Sequence, residues 1–258
     1  ERDIPITEAL FKKLGPAQDD AERQRVKKLP YLQLVGSLLY VSTHTRSDVS
    51  FAMSVLCQYM SDPSEADYEA ALQVLLYLHK TKNLALQFRK EIRVPGELAD
   101  VREFIENNHG FCAYSDSSWG MKNPAYGYII YMSGGPISFV SKKLAGAASS
   151  SCEAEYDAAS ITAREMTFIR NVCEDMGFLL NGKLVLAVDN TAAIDVAHNM
   201  GASARTKHYE REMHYIREQV ALGRTRMVHV ATTHQRADFL TKLLDSSKFL
   251  AGRNFALS

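Results

Sequence analysis

An uninterrupted apolar run, Leu-Val-Leu-Ala-Val at residues 184–188, sets the strongest limit on what this chain can fold into. A strand with apolar side chains on both faces has to be covered on both faces, as in sheets that carry helices on each side. Asp189 follows the run directly, at the carboxyl end of the strand, where α/β sheets open toward ligands. The run therefore predicts an α/β fold with a site at this edge.

Strand and helix patterns alternate around this run. Three short strands at 111–116, 126–132 and 137–141, joined by tight connections, predict an antiparallel meander. A long helix is expected at 153–176, with one apolar face that includes Ala158, Phe168, Val172 and Met176. The remaining elements should be helices at 191–199 and 205–222, a strand at 227–230 and a helix from about 235. This order predicts a mixed sheet with helices on its faces.

The first part of the chain has a different pattern. Residues 1–29 are charged and weakly patterned, which predicts a weakly ordered lead-in or a peripheral helix. Three helices are expected within 31–81, and residues 89–109 are charged and irregular, as in a linker. We therefore divide the chain into a lead-in (1–29), a helical connection region with its linker (30–108) and a sheet-containing domain (109–258).

Composition narrows the class of protein. With 46% hydrophobic and 23% charged residues the chain can bury a substantial core, and its formal net charge is zero. The four cysteines form no C-x-x-C pair, which argues against a zinc ribbon or a disulfide framework and favours a reducing, intracellular compartment. No apolar stretch approaches the roughly 20 residues of a membrane span. Because the chain begins at Glu1 rather than Met, we expect a piece of a longer protein.

Four acidic residues lie at the ends of predicted elements. Asp116 closes the first strand, Glu155 lies in the first turn of the long helix, and Asp238 lies in the first turn of the final helix. If the first and fourth strands are parallel neighbours, Asp116 and Asp189 emerge side by side. Clustered carboxylates repel one another unless a cation neutralises them, and oxygen ligands suit Mg²⁺ or Mn²⁺. The alternative for each acid alone is a helix cap or a surface charge. Glu153 faces away from Glu155 and lies further from the apolar face of the helix.

At this point the sequence resembles the ribonuclease H domain of the Pol polyprotein of copia-type LTR retrotransposons. The order and spacing of the matching segments agree as well as their residues. They are Tyr114-Ser-Asp-Ser-Ser-Trp119, Gly135-Pro-Ile-Ser-Phe-Val-Ser-Lys-Lys143, Ser149-Ser-Ser-Cys-Glu-Ala-Glu-Tyr156, Val188-Asp-Asn190, Arg205-Thr-Lys-His208 with His214-Tyr-Ile-Arg217, and Ala237-Asp-Phe-Leu-Thr-Lys242.

The resemblance extends upstream, so that it covers about residues 30–245. Pro30-Tyr31, Leu34-Val-Gly-Ser-Leu-Leu-Tyr40 and Thr45-Arg46 are similar to the segment that connects the reverse transcriptase polymerase to the nuclease in that family. The polymerase signature Tyr-x-Asp-Asp is absent from the sequence, so no DNA synthesis is expected. Ser118 stands where the family usually has a second Asp.

The resemblance implies a fold, a reaction and partners. The fold would be a ribonuclease H-like mixed five-stranded sheet of order 3-2-1-4-5, preceded by a helical connection region. The reaction would be endonucleolytic hydrolysis of the RNA strand of RNA–DNA hybrids. Two Mg²⁺ ions, for which Mn²⁺ can substitute, would be held by Asp116, Glu155, Asp189 and Asp238, without any small-molecule cofactor. The hybrid and the polymerase part of the same polyprotein would be the partners, in the cytoplasm, a virus-like particle or the nucleus, with no membrane involved.

Two further candidates lie near the predicted acids. His234, four residues before Asp238, would assist proton transfer or product release, as a mobile His does in related nucleases; a plain loop His is the alternative. Trp119 would stack on a base or sugar, and packed core is its alternative. Asn190 directly follows Asp189 in the matching segment and is a candidate contact to the nucleic acid.

A basic stretch is the candidate surface for phosphates. Between residues 200 and 236 there are seven Lys or Arg against three Glu, a local net charge of +4. Such a stretch beside a neutral fold is typical of a phosphate-facing surface, and a charged helix packed on the N-terminal helices is the alternative. The residues assigned to this contact are Arg205, Lys207, His208, His214 and Arg217.

Two rival functions belong to other classes. A remnant of a retroelement could keep the fold and bind nucleic acid or protein without hydrolysis, and an integrase-like enzyme could cut DNA with the same fold. The presence of all four acids favours an enzyme over a remnant. The long helix that carries Glu155, followed directly by the Val-Asp-Asn strand end, favours the nuclease over an integrase.

Overall fold

The computed structural model of the chain describes residues 3–92, 94–120, 124–144, 150–198 and 210–257. The helices in these ranges are α1 (Glu8–Phe11), α2 (Asp20–Val26), α3 (Tyr31–His44), α4 (Ser50–Leu56), α5 (Glu65–Lys80), α6 (Arg102–Asn107), α7 (Ser151–Asp175), α8 (Thr191–His198), α9 (Glu210–Ala221) and α10 (Ser246–Ala256). The strands are β1 (Cys112–Ser117), β2 (Ala125–Met132), β3 (Gly135–Lys143), β4 (Leu184–Val188) and β5 (Thr225–His229). Among these helices none has the length and apolar character needed to cross a bilayer.

The strands form one mixed sheet of order β3-β2-β1-β4-β5. β1 pairs antiparallel with β2, and β2 with β3, as expected of three consecutive strands joined by short connections. β4 pairs parallel with β1 on one side and with β5 on the other. The order 3-2-1-4-5 and the mixed α/β class implied by the resemblance are confirmed.

Both faces of the sheet are covered, as the apolar run in β4 requires. Val185 and Ala187 point into one core together with residues of α3, α4, α5 and α10. Leu186 and Val188 point into the opposite core together with residues of α7, α8 and α9. Side chains alternate between the faces of a strand, so one run of apolar residues supplies both cores. The helices of the connection region thus share a core with the sheet; the division near residue 109 stays a prediction.

The segment before Pro30, expected as a weakly ordered lead-in or a peripheral helix, folds as the two short helices α1 and α2. Ile6, Leu10 and Leu14 are buried in the core that contains α3 and α5. Arg23 of α2 donates hydrogen bonds to Asp62 at 2.9 and 3.1 Å, just before α5. α5 itself begins with a reciprocal cap between Ser64 and the carboxylate of its third residue. The segment is therefore packed onto the connection helices.

Two expectations about helices were wrong. The helix expected from about residue 235 is replaced by two 3-10 turns, Thr232–His234 and Asp238–Leu240, and α10 begins only at Ser246. The far end of the apolar face expected on α7 is exposed, with Phe168 61% and Met176 77% accessible. A helix of 25 residues is about 37 Å long. A strand of five or six residues spans about 17–20 Å, so α7 extends past the sheet it covers.

A buried ion pair ties the linker to the last part of the chain. Arg236 contacts Glu97 at 2.9 Å, and their side chains are 19% and 8% exposed. Tyr114 of β1 donates a hydrogen bond to the same Glu97 carboxylate, and the guanidinium lies 4.3 Å from the centre of the Phe255 ring. The next residue, Ala237, leads into the turn that carries Asp238. The pair therefore couples the connection region to that turn.

We expect Glu97→Gln to lower the free energy of unfolding by about 3 kcal/mol, because it leaves the Arg236 charge buried without an anionic partner. Urea unfolding followed by circular dichroism measures this change. Glu103→Gln on the exposed side of α6 is the matched control and should change stability by less than about 0.5 kcal/mol. Equal unfolding midpoints for the two variants would contradict the assignment.

Candidate metal centre

Asp116 and Asp189 come from neighbouring parallel strands. Tyr114 of β1 pairs with Ala187 of β4, and two residues further along each strand the chain reaches Asp116 and Asp189. Asp116 is 1% exposed, and Asp189 is partly exposed. The parallel register therefore brings the two carboxylates to the same edge of the sheet, as the sequence predicted.

Glu155 reaches this edge from the first turns of α7. Ser150 caps the helix by accepting a hydrogen bond from the backbone N–H of Glu153, which fixes where the helix begins. Glu155 is 6% exposed, and its Oε1 accepts hydrogen bonds of 3.0 Å from both the backbone N–H and the hydroxyl of Ser117. Its Oε2 is buried and has no hydrogen-bond partner among the described residues. A buried carboxylate oxygen without a partner is costly unless a cation contacts it.

Three of the four predicted acids meet. Asp116, Glu155 and Asp189 each offer one oxygen, and these oxygens all lie within 4.8 Å of one another. Oxygen donors without sulfur or nitrogen suit hard cations such as Mg²⁺ and Mn²⁺. The unpartnered Oε2 of Glu155 and the mutual proximity of the three carboxylates both fit a divalent ion.

Asp238 lies beside these three acids with a lysine between. Its Oδ1 is 2.9 Å from the ammonium of Lys242, which also lies 3.5 Å from Oδ2 of Asp116. Thr241 donates a hydrogen bond to the same Asp116 oxygen. Asp238 is therefore part of the same electrostatic cluster, but its carboxylate is held by Lys242 rather than grouped with the other three.

The turn that carries these residues crosses directly over Gly127. Gly127 of β2 pairs with Asp116 of β1, and a Cβ built on it would lie 2.7 Å from Cβ of Leu240 and 3.0 Å from Cγ2 of Thr241. Only a glycine lets the Asp238–Leu240 turn come this close to the sheet. On its other side the turn is held by Gln235, whose side-chain amide donates to the Ser115 carbonyl at 2.9 Å.

Burial and mutual repulsion raise the pKa of three of these acids. Burial, reinforced by Asp238 and Asp189 and opposed by Lys242 and Thr241, raises the pKa of Asp116 to about 7. Burial together with Asp116 and Asp189 raises the pKa of Glu155 to about 9, although the hydrogen bonds from Ser117 oppose the change. Burial also raises the pKa of Asp238 against the effect of Lys242. Without a metal, burial therefore favours the protonated forms of these three acids.

The other predicted site residues are partly exposed, partly bonded to the backbone, and partly outside the described residues. The ring of His234 is exposed in the Thr232–His234 turn, and Trp119 is 49% exposed just past the end of β1. The side-chain oxygen of Asn190 caps α8 by accepting a hydrogen bond of 3.1 Å from the Ala193 N–H. The guanidinium of Arg217 donates to the Val196 carbonyl at 2.8 Å. Arg205, Lys207 and His208 lie outside the described residues, as does the side chain of His214.

Sequence reasoning gave no role to several residues that shape the site. Ser117, Thr241 and Lys242 contact the acids, and all three stand inside segments that carried the family resemblance. Lys142 and Lys143, at the end of β3, are exposed and pair with the first residues of β2, at the end of the sheet that carries Asp116. All of these residues lie in segments that carry the family resemblance, and this was the sequence feature that could have identified them. Only the fold shows that they lie near the acids.

Comparison with known proteins shows which proteins this chain resembles. The retrovirus-related Pol polyprotein from transposon RE1 of Arabidopsis thaliana is 36% identical over 230 residues, which cover 88% of this chain and 14% of that protein. The corresponding polyprotein from transposon TNT 1-94 of Nicotiana tabacum is 32% identical over 242 residues, which cover 93% of this chain and 17% of that protein. Over most of its length the chain is homologous to a segment of the Pol polyproteins of transposons. It spans only a small part of the length of these Pol relatives.

Two other comparisons add little to this Pol assignment. No family model matches the chain. The crystal structure of LC11-RNase H1 in complex with an RNA/DNA hybrid is similar over 50% of this chain and 92% of that one, at 16% identity and a TM-score of 0.37. The similarity at this TM-score is weak, and the fold is instead defined by the strand order and pairing of the chain itself.

We expect Gly127→Ala to destabilise this Pol segment by about 1–3 kcal/mol, because the added methyl group would push Leu240 and Thr241 away from the sheet. Chemical denaturation measures the change. Gly36→Ala is the matched control, since a Cβ there meets nothing within 4 Å and alanine favours the helix interior of α3. The control should be neutral or stabilising; an equally stable Gly127→Ala protein would contradict the close approach.

The raised pKa of Glu155 predicts how stability depends on pH when metal is removed with EDTA. Its pKa in the fold, about 9, lies above the ordinary carboxyl value, so the folded state binds the proton more tightly than the unfolded chain. The resulting stabilisation is complete at low pH and is lost as the pH rises toward 9. We expect the melting temperature to fall from pH 6 to pH 9 in the wild type and to fall less in Glu155→Gln. Parallel profiles for the two proteins would argue against this shift.

Proposed function

We propose that the chain is a metal-dependent ribonuclease H-type endonuclease that hydrolyses the RNA strand of RNA–DNA hybrids. The observation that carries the proposal is the group of three carboxylates, on β1, α7 and β4, whose oxygens lie within 4.8 Å of one another. Homology to a segment of the transposon Pol polyproteins supports the same reaction class, since the segments that carry the family resemblance hold each of these acids. The whole polyprotein's activities are a separate question, because the chain spans a small share of its relatives.

Asp116, Glu155 and Asp189 would hold the ions, with Asp238 contributing on the side of Lys242. Two bound Mg²⁺ or Mn²⁺ ions would supply an activated water and stabilise the leaving oxygen of the phosphodiester. A divalent ion stabilises the ionised carboxylates over the protonated ones. Binding of the ion would therefore release protons from the cluster.

Neighbouring hydroxyl groups hold the acids in position. Ser117 donates to Glu155, and the hydroxyl of Thr232 donates to Asp189 at 3.0 Å. Thr241 donates to Asp116, so each of the three acids is oriented by a hydroxyl before any ligand arrives. Carboxylates that are already oriented lose less side-chain entropy when they bind a cation.

The nucleic acid would lie across the same end of the sheet. Trp119 follows β1, and Lys142 and Lys143 end β3, so an exposed aromatic ring and two cations flank the acids. Lysine charges attract the phosphate backbone, and an exposed ring can stack on a base or sugar. The 2′-hydroxyl would distinguish the RNA strand from the DNA strand. A role for His234 in proton transfer stays part of this proposal, since its ring is exposed in the turn that precedes Asp238 by four residues.

The partner within the polyprotein would be the polymerase part. The helices of the connection region pack on the sheet, so a domain that precedes them would be mechanically linked to the nuclease. An intracellular location, in the cytoplasm, the nucleus or a virus-like particle, belongs to the same proposal.

A cleavage assay with three labelled substrates tests the proposed reaction. With Mg²⁺, we expect the RNA of an RNA–DNA hybrid to be cut, leaving 3′-hydroxyl and 5′-phosphate ends, while matched RNA and DNA duplexes stay intact. Asp116→Asn and Asp189→Asn should each lose about 10²-fold or more in rate, as when a group that stabilises the transition state is removed. Asp195→Asn, an exposed acid on α8, is the control and should cut at the wild-type rate.

The same assay separates the rival functions. Cutting of the DNA duplex would support an integrase-like enzyme, and binding of the hybrid without any cutting would support a non-catalytic remnant. Hybrid cleavage that survives Asp116→Asn would contradict the assigned site even if the reaction were correct.

A further inference from the structure

The positively charged side chain of Lys242 lies within the acidic cluster. The ammonium of Lys242 is 2.9 Å from Asp238 and 3.5 Å from Asp116, and the Lys242 side chain is only 26% exposed. Burial by itself lowers the pKa of Lys242, but Asp116 and Asp238 outweigh that effect and raise it, so the group is charged. Lys242 thus lies between two acids that the proposed reaction assigns to divalent ions.

The backbone holds Lys242 in this place. Its N–H donates to the carbonyl of Asp238 at 3.2 Å, which makes a helical turn of the segment and puts the two side chains on the same side. The preceding residue, Thr241, is fully buried and bonded to Asp116. The turn is therefore held by the backbone hydrogen bond of Lys242 and by the contact of Thr241 with Asp116, and it directs the ammonium into the cluster.

Charge repulsion makes the ammonium and a divalent ion alternatives on this side of the site. A cation that bound both Asp116 and Asp238 would have to lie within a few ångströms of the ammonium, where like charges repel strongly in a partly buried site. Lys242 also contacts Asp116, but Glu155, on the far side of Asp116, has a buried Oε2 with no hydrogen-bond partner in the part of the chain that the structure describes. The two sides of the site are thus unequal before any ion binds.

We propose that Lys242 is a built-in competitor for the divalent ion on the Asp238 side of the cluster. The first ion binds Asp116, Glu155 and Asp189 while Lys242 stays on Asp238. The second ion binds Asp238 only when the ammonium moves away, and a phosphate group of the nucleic acid is the anion that can receive it. Binding of the second ion is then coupled to the presence of substrate. The inference rests on the proposed function, since it assumes that divalent ions occupy the cluster.

The competition also has a structural effect in the metal-free protein. Lys242 neutralises one of the negative charges that the fold crowds together at the end of β1, so it stabilises the folded state until an ion replaces it. Removing the ammonium should therefore weaken the metal-free fold and strengthen binding of the second ion. If Lys242 had only a structural role, removing it would weaken the metal-free fold without strengthening binding of the second ion.

Mn²⁺ binding without nucleic acid tests the proposal, with the free ion counted by electron paramagnetic resonance. For the wild type we expect one ion on the cluster and a second that binds more weakly. In Lys242→Met the second ion should bind about tenfold more tightly or better, because its competitor is gone. Lys242→Arg keeps the charge and should behave as the wild type. Lys12→Met, which removes an exposed lysine paired with Glu8, is the matched control and should leave both affinities unchanged.

Melting temperatures in EDTA and in Mn²⁺ give a second readout. Lys242→Met should melt below the wild type in EDTA, and the difference should shrink as Mn²⁺ is added. If Lys242→Met is too unstable for binding measurements, Lys242→Gln carries the same test with a polar side chain.

The outcomes separate the inference from the proposed function. A second ion that binds Lys242→Met with the wild-type affinity, or more weakly, overturns the competition while the metal site itself stands. If the wild type binds no Mn²⁺, or if Asp189→Asn does not weaken the first ion, the metal site fails and the inference fails with it.

Discussion

Crowding of negative charge in a place that water barely reaches is the constraint on which this structure depends. Asp116 and Glu155 are 1% and 6% exposed, and with Asp189 they bring oxygens within 4.8 Å of one another. Charged carboxylates repel strongly where water cannot screen them. The protein moderates the repulsion by retained protons, by hydroxyl donors such as Ser117, and by the ammonium of Lys242. Each of these is a weaker substitute for a divalent cation, and that is why the arrangement is suited to binding one.

The fold makes this crowding possible because the sheet is covered on both faces. The parallel pairing of β1 and β4 sets the two aspartates side by side, α7 brings Glu155 over one face, and the Asp238–Leu240 turn closes over the other at Gly127. The connection helices and α10 complete the core beneath that turn. The ion pair between Glu97 and Arg236 then ties the linker to the turn. Stability of the connection region and geometry of the site are therefore properties of one packed unit.

Sequence patterns correctly predicted those features that depend on neighbouring residues in the chain. The apolar run at residues 184–188 coincides with β4, and the other strands and the long helix lie within a few residues of their predicted positions. The four acids were identified from their places at element ends, and the structure brings three of them together. The prediction failed after residue 234, where a helix was expected from about residue 235 but the side chain of Gln235 bonds to the Ser115 carbonyl of β1. It also failed at Phe168, which has the spacing of a buried residue on a helix longer than the sheet beneath it.

The sequence alone determined the elements, the alternation of buried and exposed strand positions, and the family, because these follow from the spacing of apolar residues and from short motifs. The tertiary structure decided which charges meet. Lys242 and Asp238 are four residues apart, but the contact of Lys242 with Asp116 spans more than a hundred residues of chain. Nothing in the local pattern records that contact, since it depends on how closely a turn approaches the sheet over a single glycine. Which charged side chains form ion pairs depends on distances of a few ångströms, and those distances are fixed only when the whole core has packed.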